Sequence, residues 1–249
     1  MAIPRKLLWG VLLVVFISGG LEVAHRMEWL NAAENWYYDV WHQLGGSRYE
    51  PQHVVIAAID DPTRLEHQDE PLVFWSPHFA RAIAVLRQAG ARVIGLDFLF
   101  SVSAESWLKK LKLPESDQSR TYDLPFREQL ASGQVILAGD LVRDAQGQEK
   151  ILLPLPDYWG SLPGQLDDLG LVKFFSDPDG VIRRFSPVMS TGGEEAWVTF
   201  ANLLAERALP KGALPQAPPL SRIGYCGPPG TIPRISFGRL LRAEANLDP

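Results

Sequence analysis

The chain reads as an α/β protein, built on a mainly parallel sheet with flanking helices. An antiparallel hairpin follows in the second half, and a transmembrane helix and an amphipathic stalk helix precede the whole. Three observations predict this. His53-Val54-Val55-Ile56-Ala57-Ala58-Ile59 and Val93-Ile94-Gly95-Leu96 are apolar runs of strand length, as expected of strands covered on both faces. A helical pattern separates them, with Ser76-Pro77 at its start, Phe79, Ile83 and Leu86 on one face, and Gly90 past its end, so the unit is β-α-β with a right-handed crossover. Third, Asp177-Pro178-Asp179-Gly180 lies between the strand-like runs 169–175 and 181–185, a hairpin turn in composition.

Before these elements, residues 7–21 are uncharged and follow Arg5-Lys6. As a helix that stretch spans about 22 Å. Extension to Ala24 brings it towards the roughly 30 Å of a bilayer core, with Glu22 snorkelling into the far interface. The rivals are a cleaved signal peptide, which the small residues Ser18-Gly19-Gly20 suit, and a buried core helix. Either membrane reading keeps Arg5 and Lys6 in the cytoplasm and sends the remainder across. A second helix runs on to about Leu44 and stops at Gly45-Gly46. Trp29, Ala33, Trp36, Val40 and Leu44 form one stripe on it. The stripe is expected to pack against the following domain, the other readings being contact with a second protomer or with the membrane surface. The divisions are thus a cytoplasmic tip and anchor (1–24), a juxtamembrane stalk (25–46) and a domain (47–249).

Within the domain, Asp61-Pro62 reads as an N-cap and first helical residue, and Asp123 as the cap of a helix ending near Ala131. Residues 67–75 form a polar, then bulky loop, and 134–138 a third strand. A helix over 197–208, a short strand over 222–226 and a last helix from Ser236 to about Glu244 complete the chain. The net charge of -5 speaks against a nucleic-acid partner. One cysteine permits no internal disulfide, and five histidines show no zinc-type spacing. Gly227-Pro228-Pro229-Gly230 lacks the Gly-Lys-Ser/Thr ending of a phosphate loop, and no cofactor is expected.

Chemistry in open parallel sheets gathers beyond the carboxyl ends of the strands, where this chain places Asp60, Asp61, Asp97 and Asp140. On adjacent strands about 5 Å apart they would form an acidic pocket. Arg64, Arg81 and a protonated His78 are the cations nearest in sequence. This set is the candidate ligand-binding site, and the competing reading is a structural network of caps and turns. Holding Mg²⁺, Asp60, Asp61 and Asp97 would serve phosphoryl transfer or hydrolysis, although no activated nucleophile or paired base is evident.

Six segments belong together: Tyr38-Asp39-Val40, Val54-Val55-Ile56 through Asp60-Asp61, Gly90 to Ser101, Leu153-Pro154-Leu155-Pro156, Leu169-Gly170 to Arg183-Arg184, and Tyr225 to Pro233 followed by Ser236-Phe237. In this order, with the fifth the most specific, they resemble the CHASE2 family of bacterial extracytoplasmic sensor domains. Residues 101–119 depart from the pattern, being longer and carrying lysines. The resemblance implies a stimulus-sensing module of a membrane-bound receptor in the bacterial inner membrane, single-pass here, with its main domain periplasmic. It implies that catalysis resides in a cytosolic output domain, and the stalk suggests a homodimer. An assembly module is the alternative. Members continue with a further strand, so the domain is expected to lack its final one.

Overall fold

The computed structural model describes residues 4–26, 29–112, 116–117, 121–190 and 196–244. It divides into two compact units: residues 1–54 with 225–233, and residues 55–224 with 234–249.

The first unit begins with helix α1 (Arg5–Arg26). Over Lys6–Ala24 its mean hydropathy is 2.1 and none of it is buried. Its 22 residues extend about 33 Å, which spans a bilayer core. Full exposure removes the core-helix reading, whereas an anchor and a signal sequence both fit. Helix α2 (Asn31–Gly45) has no buried residue. Trp29, Trp36 and Leu44 are 70%, 68% and 83% exposed, and the half-covered positions are on the polar side, Tyr38 and His42 among them. The reason is hydrogen bonding. His42 Nδ1 donates to Tyr38 O (2.8 Å), so Nε2 accepts from Arg48 Nη2 (2.9 Å). Arg48 in turn donates through Nε to Tyr225 O (3.1 Å) and through its amide to Cys226 O (2.8 Å). The Tyr225 ring meets His42 edge-on.

The second unit runs β1 (Ile56–Ala58), α3 (Asp61–Glu66), α4 (Ser76–Gln88), β2 (Ile94–Leu96), α5 (Ala104–Lys110), α6 (Leu124–Leu130), β3 (Val135–Arg143) and β4 (Glu149–Leu152). It continues through α7 (Pro156–Trp159), β5 (Leu169–Leu171), β6 (Phe175–Ser176), β7 (Ile182–Phe185), β8 (Val188–Ser190), β9 (Ala196–Val198), α8 (Phe200–Ala208), β10 (Ser221–Arg222), β11 (Arg234–Ser236) and α9 (Phe237–Glu244).

The fold is mixed α/β, but several small sheets replace the expected single one. Strand β3 is central, with β2 and β5 parallel beside its first half and β4 antiparallel beside its second. Strand β1 instead pairs in parallel with β11. Their order along the chain suggested neighbouring β1 and β2; burial and pairing partner them otherwise. The seven-residue first strand shrinks to three, and Val54 and Val55 are 55% and 62% exposed. The run after β2 also leaves the sheet, at Asp97, which lets Phe98 and Phe100 turn onto Phe79 at ring distances of 5.0 and 5.2 Å.

Helix α4 is amphipathic as read, burying Phe79, Ala82, Ile83 and Val85. Its core partners include Phe126 and Leu130 of α6, Tyr158 of α7, and Phe237, Leu240 and Leu241 of α9. Gly170 of β5 lies so close to α8 that an added Cβ would collide with the Phe200 backbone. Three caps differ by a residue or by partner. Asp60, not Asp61, caps α3; Trp75 precedes α4 without a side-chain cap. Ser76 Oγ donates instead to Asp123 Oδ1 (2.5 Å), which diverts that carboxylate from capping α6. Trp197, read into a helix, lies on β9. The chain end, to which the missing-strand expectation attaches, lies outside the described residues.

The Pro-Asp-Gly turn joins β6 to β7. Gly180 takes φ = 80°, a left-handed backbone natural to glycine. Its carboxylates hold an arginine. Arg183, 2% exposed, reaches Asp177 Oδ2 and Asp179 Oδ2 at 2.8 Å each, and Arg184 Nη1 lies 3.0 Å from Asp177 Oδ1. The Arg183 guanidinium holds the Asp179 carboxyl down at about 2. Because that value is depressed, its contribution to stability is present above the ordinary carboxylate range and is lost as pH falls through about 2. Removing one partner of a buried pair strands the other charge, typically at 3–5 kcal/mol. Arg183→Ala should therefore lower unfolding free energy by about 3–5 kcal/mol in urea melts; an unchanged midpoint would show that the network is not needed for the fold.

Candidate functional site

The four strand-end carboxylates do not form one pocket. Asp60 and Asp61 follow β1, in the β1–β11 sheet, whereas Asp97 follows β2 in the sheet of β3. Asp140 is not at a strand end: it lies inside β3, opposite Leu152 of β4, with its own Oδ1 accepting from Leu141 N (2.7 Å). Asp61, Asp97, Arg64 and Arg81 are exposed. Among the described residues, no group of three or more acidic, histidine or cysteine side chains with close ligand atoms includes any of these aspartates.

Asp60 has a local role. Its Oδ1 accepts from Thr63 N (3.1 Å), Thr63 Oγ1 (2.5 Å) and Ser236 Oγ (3.0 Å). The Thr63 hydroxyl bond leads the causes that hold its carboxyl below the ordinary value. Thr63 Oγ1 also accepts from Gly238 N (2.9 Å). One buried hydroxyl thus joins the start of α3 to β11 and α9, and with them the β1–β11 pair.

The carboxyl end of β2 does carry a cavity, but an apolar one. It measures about 200 Å³ and is lined by Leu72, Val73, Ser76, Phe79, Phe98, Leu99, Phe100, Ser101, Val102 and Tyr158. Three hydroxyls, those of Ser76, Ser101 and Tyr158, are its side-chain polar groups. Burial, and then the Asp123 carboxylate, push the Tyr158 hydroxyl far above the ordinary phenol value, so it stays protonated with its hydrogen bonded to Asp123. A second hollow of about 560 Å³ lies by the β3–β4 hairpin, with Arg143, Glu149, Lys173 and Phe174 in its wall. Its Lys173 Nζ donates to Leu141 O (3.2 Å).

On the loop leading into α4, which supplies Leu72 and Val73 to the smaller cavity, stand His67 and Glu70, and on the first turn of α4 stands His78. Their ligand atoms all lie within 4.8 Å of one another. His78 Nε2 is 2.8 Å and His67 Nδ1 3.5 Å from Glu70 Oε2. Of the three, only His78 stood out in the sequence. The spacing His67-x2-Glu70-x7-His78 fits no familiar zinc pattern, because a helix C-cap, a turn and a helix start bring it together rather than one regular element. These three could hold a metal; the aspartates are not arranged to.

The cavity beside α4 is walled mainly by apolar side chains, with the hydroxyls of Ser76 and Tyr158 turned to Asp123. Replacing Thr63 by valine keeps its shape and removes the shared hydroxyl; a buried hydrogen-bond partner left unsatisfied costs about 1–3 kcal/mol. Thr63→Val should destabilise the protein by that amount in denaturant melts, and a neutral result would mean that Asp60 and Gly238 find other partners.

Comparison with curated proteins and with solved structures found no match. Comparison with known families matched residues 9–249 to the CHASE2 domain, a span that takes in most of α1 and every element of both units. The family is one of sensor domains, extracytoplasmic in signalling proteins and not catalytic by themselves, which accords with an apolar cavity and dispersed carboxylates. On a match of this extent, the chain belongs to the CHASE2 domain family.

Proposed function

We propose that this chain is the extracytoplasmic sensing module of a membrane-bound signal-transduction receptor, held at the bacterial inner membrane by α1 and passing its ligand state through α2. The family match, which runs from within the apolar helix through the whole domain, is the observation that carries this reading. Arg5 and Lys6 precede the apolar span, and the positive-inside bias keeps them cytoplasmic. The ligand is small enough for the cavity at the end of β2 and apolar over most of its surface. The span from Phe98 to Val102 forms one wall of that cavity and Leu72–Ser76 another, so an occupant shifts the balance of the aromatic core on which α4 rests. A reporter that is active only outside the cytoplasm, fused after Pro249, should be active in cells. Activity of a cytoplasm-only reporter at the same junction would overturn the placement.

The stalk supports pairing of two copies. Ala33, Trp36 and Leu44 of α2, with Trp29 just before it, are exposed, and exposed aromatic residues are common anchors of protein interfaces. A homodimer joined there would let a change in one domain alter the separation or rotation of two membrane helices. Cross-linking in membranes should show that Trp29→Ala combined with Trp36→Ala weakens dimers while the melting temperature stays within a degree or two. A large fall in melting temperature with dimers intact would show that these rings pack within the protomer.

A further inference from the structure

We propose that His67, Glu70 and His78 form a binding site for a divalent transition-metal ion of the zinc class. Two imidazoles and one carboxylate make up a His₂Glu set, which selects zinc, nickel or copper over magnesium or calcium, since the latter require more oxygen ligands.

The spacing suits a metal with little rearrangement. Tetrahedral coordination with bonds of about 2.0–2.1 Å separates neighbouring ligand atoms by about 3.3 Å. Glu70 Oε2 lies 2.8 Å from His78 Nε2 and 3.5 Å from His67 Nδ1, on either side of that value. The His67 and His78 rings face each other at 4.7 Å with a tilt of 53°. His78 Nε2 faces Glu70 Oε2 and is the ligating nitrogen; the metal takes the place of its hydrogen, and the neutral ring then carries its N–H on the buried Nδ1.

The three side chains are also fixed from below. His67 is the C-cap of α3, its amide bonded to Thr63 O (3.2 Å). Glu70 N donates to His67 O (3.0 Å), closing a single turn. Trp75 Nε1 donates to Glu70 O (3.0 Å), and His78 sits on the first turn of α4. Trp75 is 3% exposed and meets both imidazoles edge-on, at 5.2 and 5.8 Å. Such anchoring by packed neighbours and main-chain bonds is what holds metal ligands in place. The side chains themselves are 19%, 33% and 17% exposed, open enough for an ion to enter. Three protein ligands leave one coordination position, which an exogenous anion or water would take.

The test is calorimetric titration of tag-free 1–249, purified in detergent, with Zn²⁺ on a Cys226→Ser background that removes the lone thiol. One site of micromolar affinity is expected, with no heat from Mg²⁺ or Ca²⁺ at the same concentrations. His67→Gln and Glu70→Gln should each weaken zinc at least tenfold, and Co²⁺ loaded in its place should show the visible absorption of a low-coordinate site. If either variant is less stable in EDTA, the reading becomes the zinc-induced rise in melting temperature, present in the parent and absent in the variant. No binding by the parent below about 100-fold the micromolar range, or equal affinity in both variants, would overturn the site. Neither result bears on sensing through the apolar cavity, because zinc binding is read without any signalling output.

Discussion

The second unit depends on the burial of one ring, that of Phe79. It lies on α4 and meets Phe98, Phe100, Phe126 and Phe237 at centroid distances of 5.0, 5.2, 6.2 and 5.5 Å. Those four rings come from the segment after β2, from α6 and from α9, so a single side chain touches three stretches at once, two of which also meet through Phe100 and Phe126. Aromatic pairs at such distances contribute roughly 0.5–1.5 kcal/mol each beyond the area they bury. The constraint also explains why β2 ends at Leu96. The next residues serve the core better as ring donors than as strand, and in leaving the sheet they open the cavity that their own rings line.

Around this apolar centre several buried polar groups pair across long sequence distances. Ser76 holds Asp123, Asp123 sits beside the Tyr158 hydroxyl, and Tyr122 donates to Phe74 O (2.8 Å). Burial pushes the Tyr122 phenol up, and the charges of Glu70 and Asp123 reinforce it. These links connect α4 and its leading loop to α6 and α7. The loop that carries His67 and Glu70 is therefore not a free surface segment: through Trp75, which stacks over Phe237 at 6.3 Å, it reaches the same core that the cavity borders.

Several residues of the family segments act as joints between parts of the chain. Tyr225 and Cys226 receive Arg48, at the end of the α2 segment. Leu155, from the Leu-Pro-Leu-Pro stretch, donates its amide to Phe100 O (2.8 Å). Asp177, Asp179 and Arg183 close the β6–β7 turn. Gly170 admits α8 against β5. Ser236 returns to Asp60. Each of these residues holds two stretches of the chain together, whereas Leu72, Val73 and Val102 line the cavity.

What the sequence determined by itself was local. The apolar length of α1, the 3.6-residue period of α2 and α4, the Pro-Asp-Gly turn, the last helix and the parallel core of β2 and β3 each follow from residues within a few positions of one another. Only the tertiary structure decided the rest. Strand β1 chose β11, far away in the chain, over β2, because a three-residue apolar run specifies that a strand forms but not its neighbour. The stripe of α2 turned outward, since the hydrogen-bonding demand of His42 and Arg48 claimed the opposite side. Asp140 moved from a strand end to mid-strand when β3 continued into a hairpin that pattern alone did not reveal. His67, Glu70 and His78 gathered because two helix ends and a turn converge, and convergence of that kind leaves no period in the sequence to read.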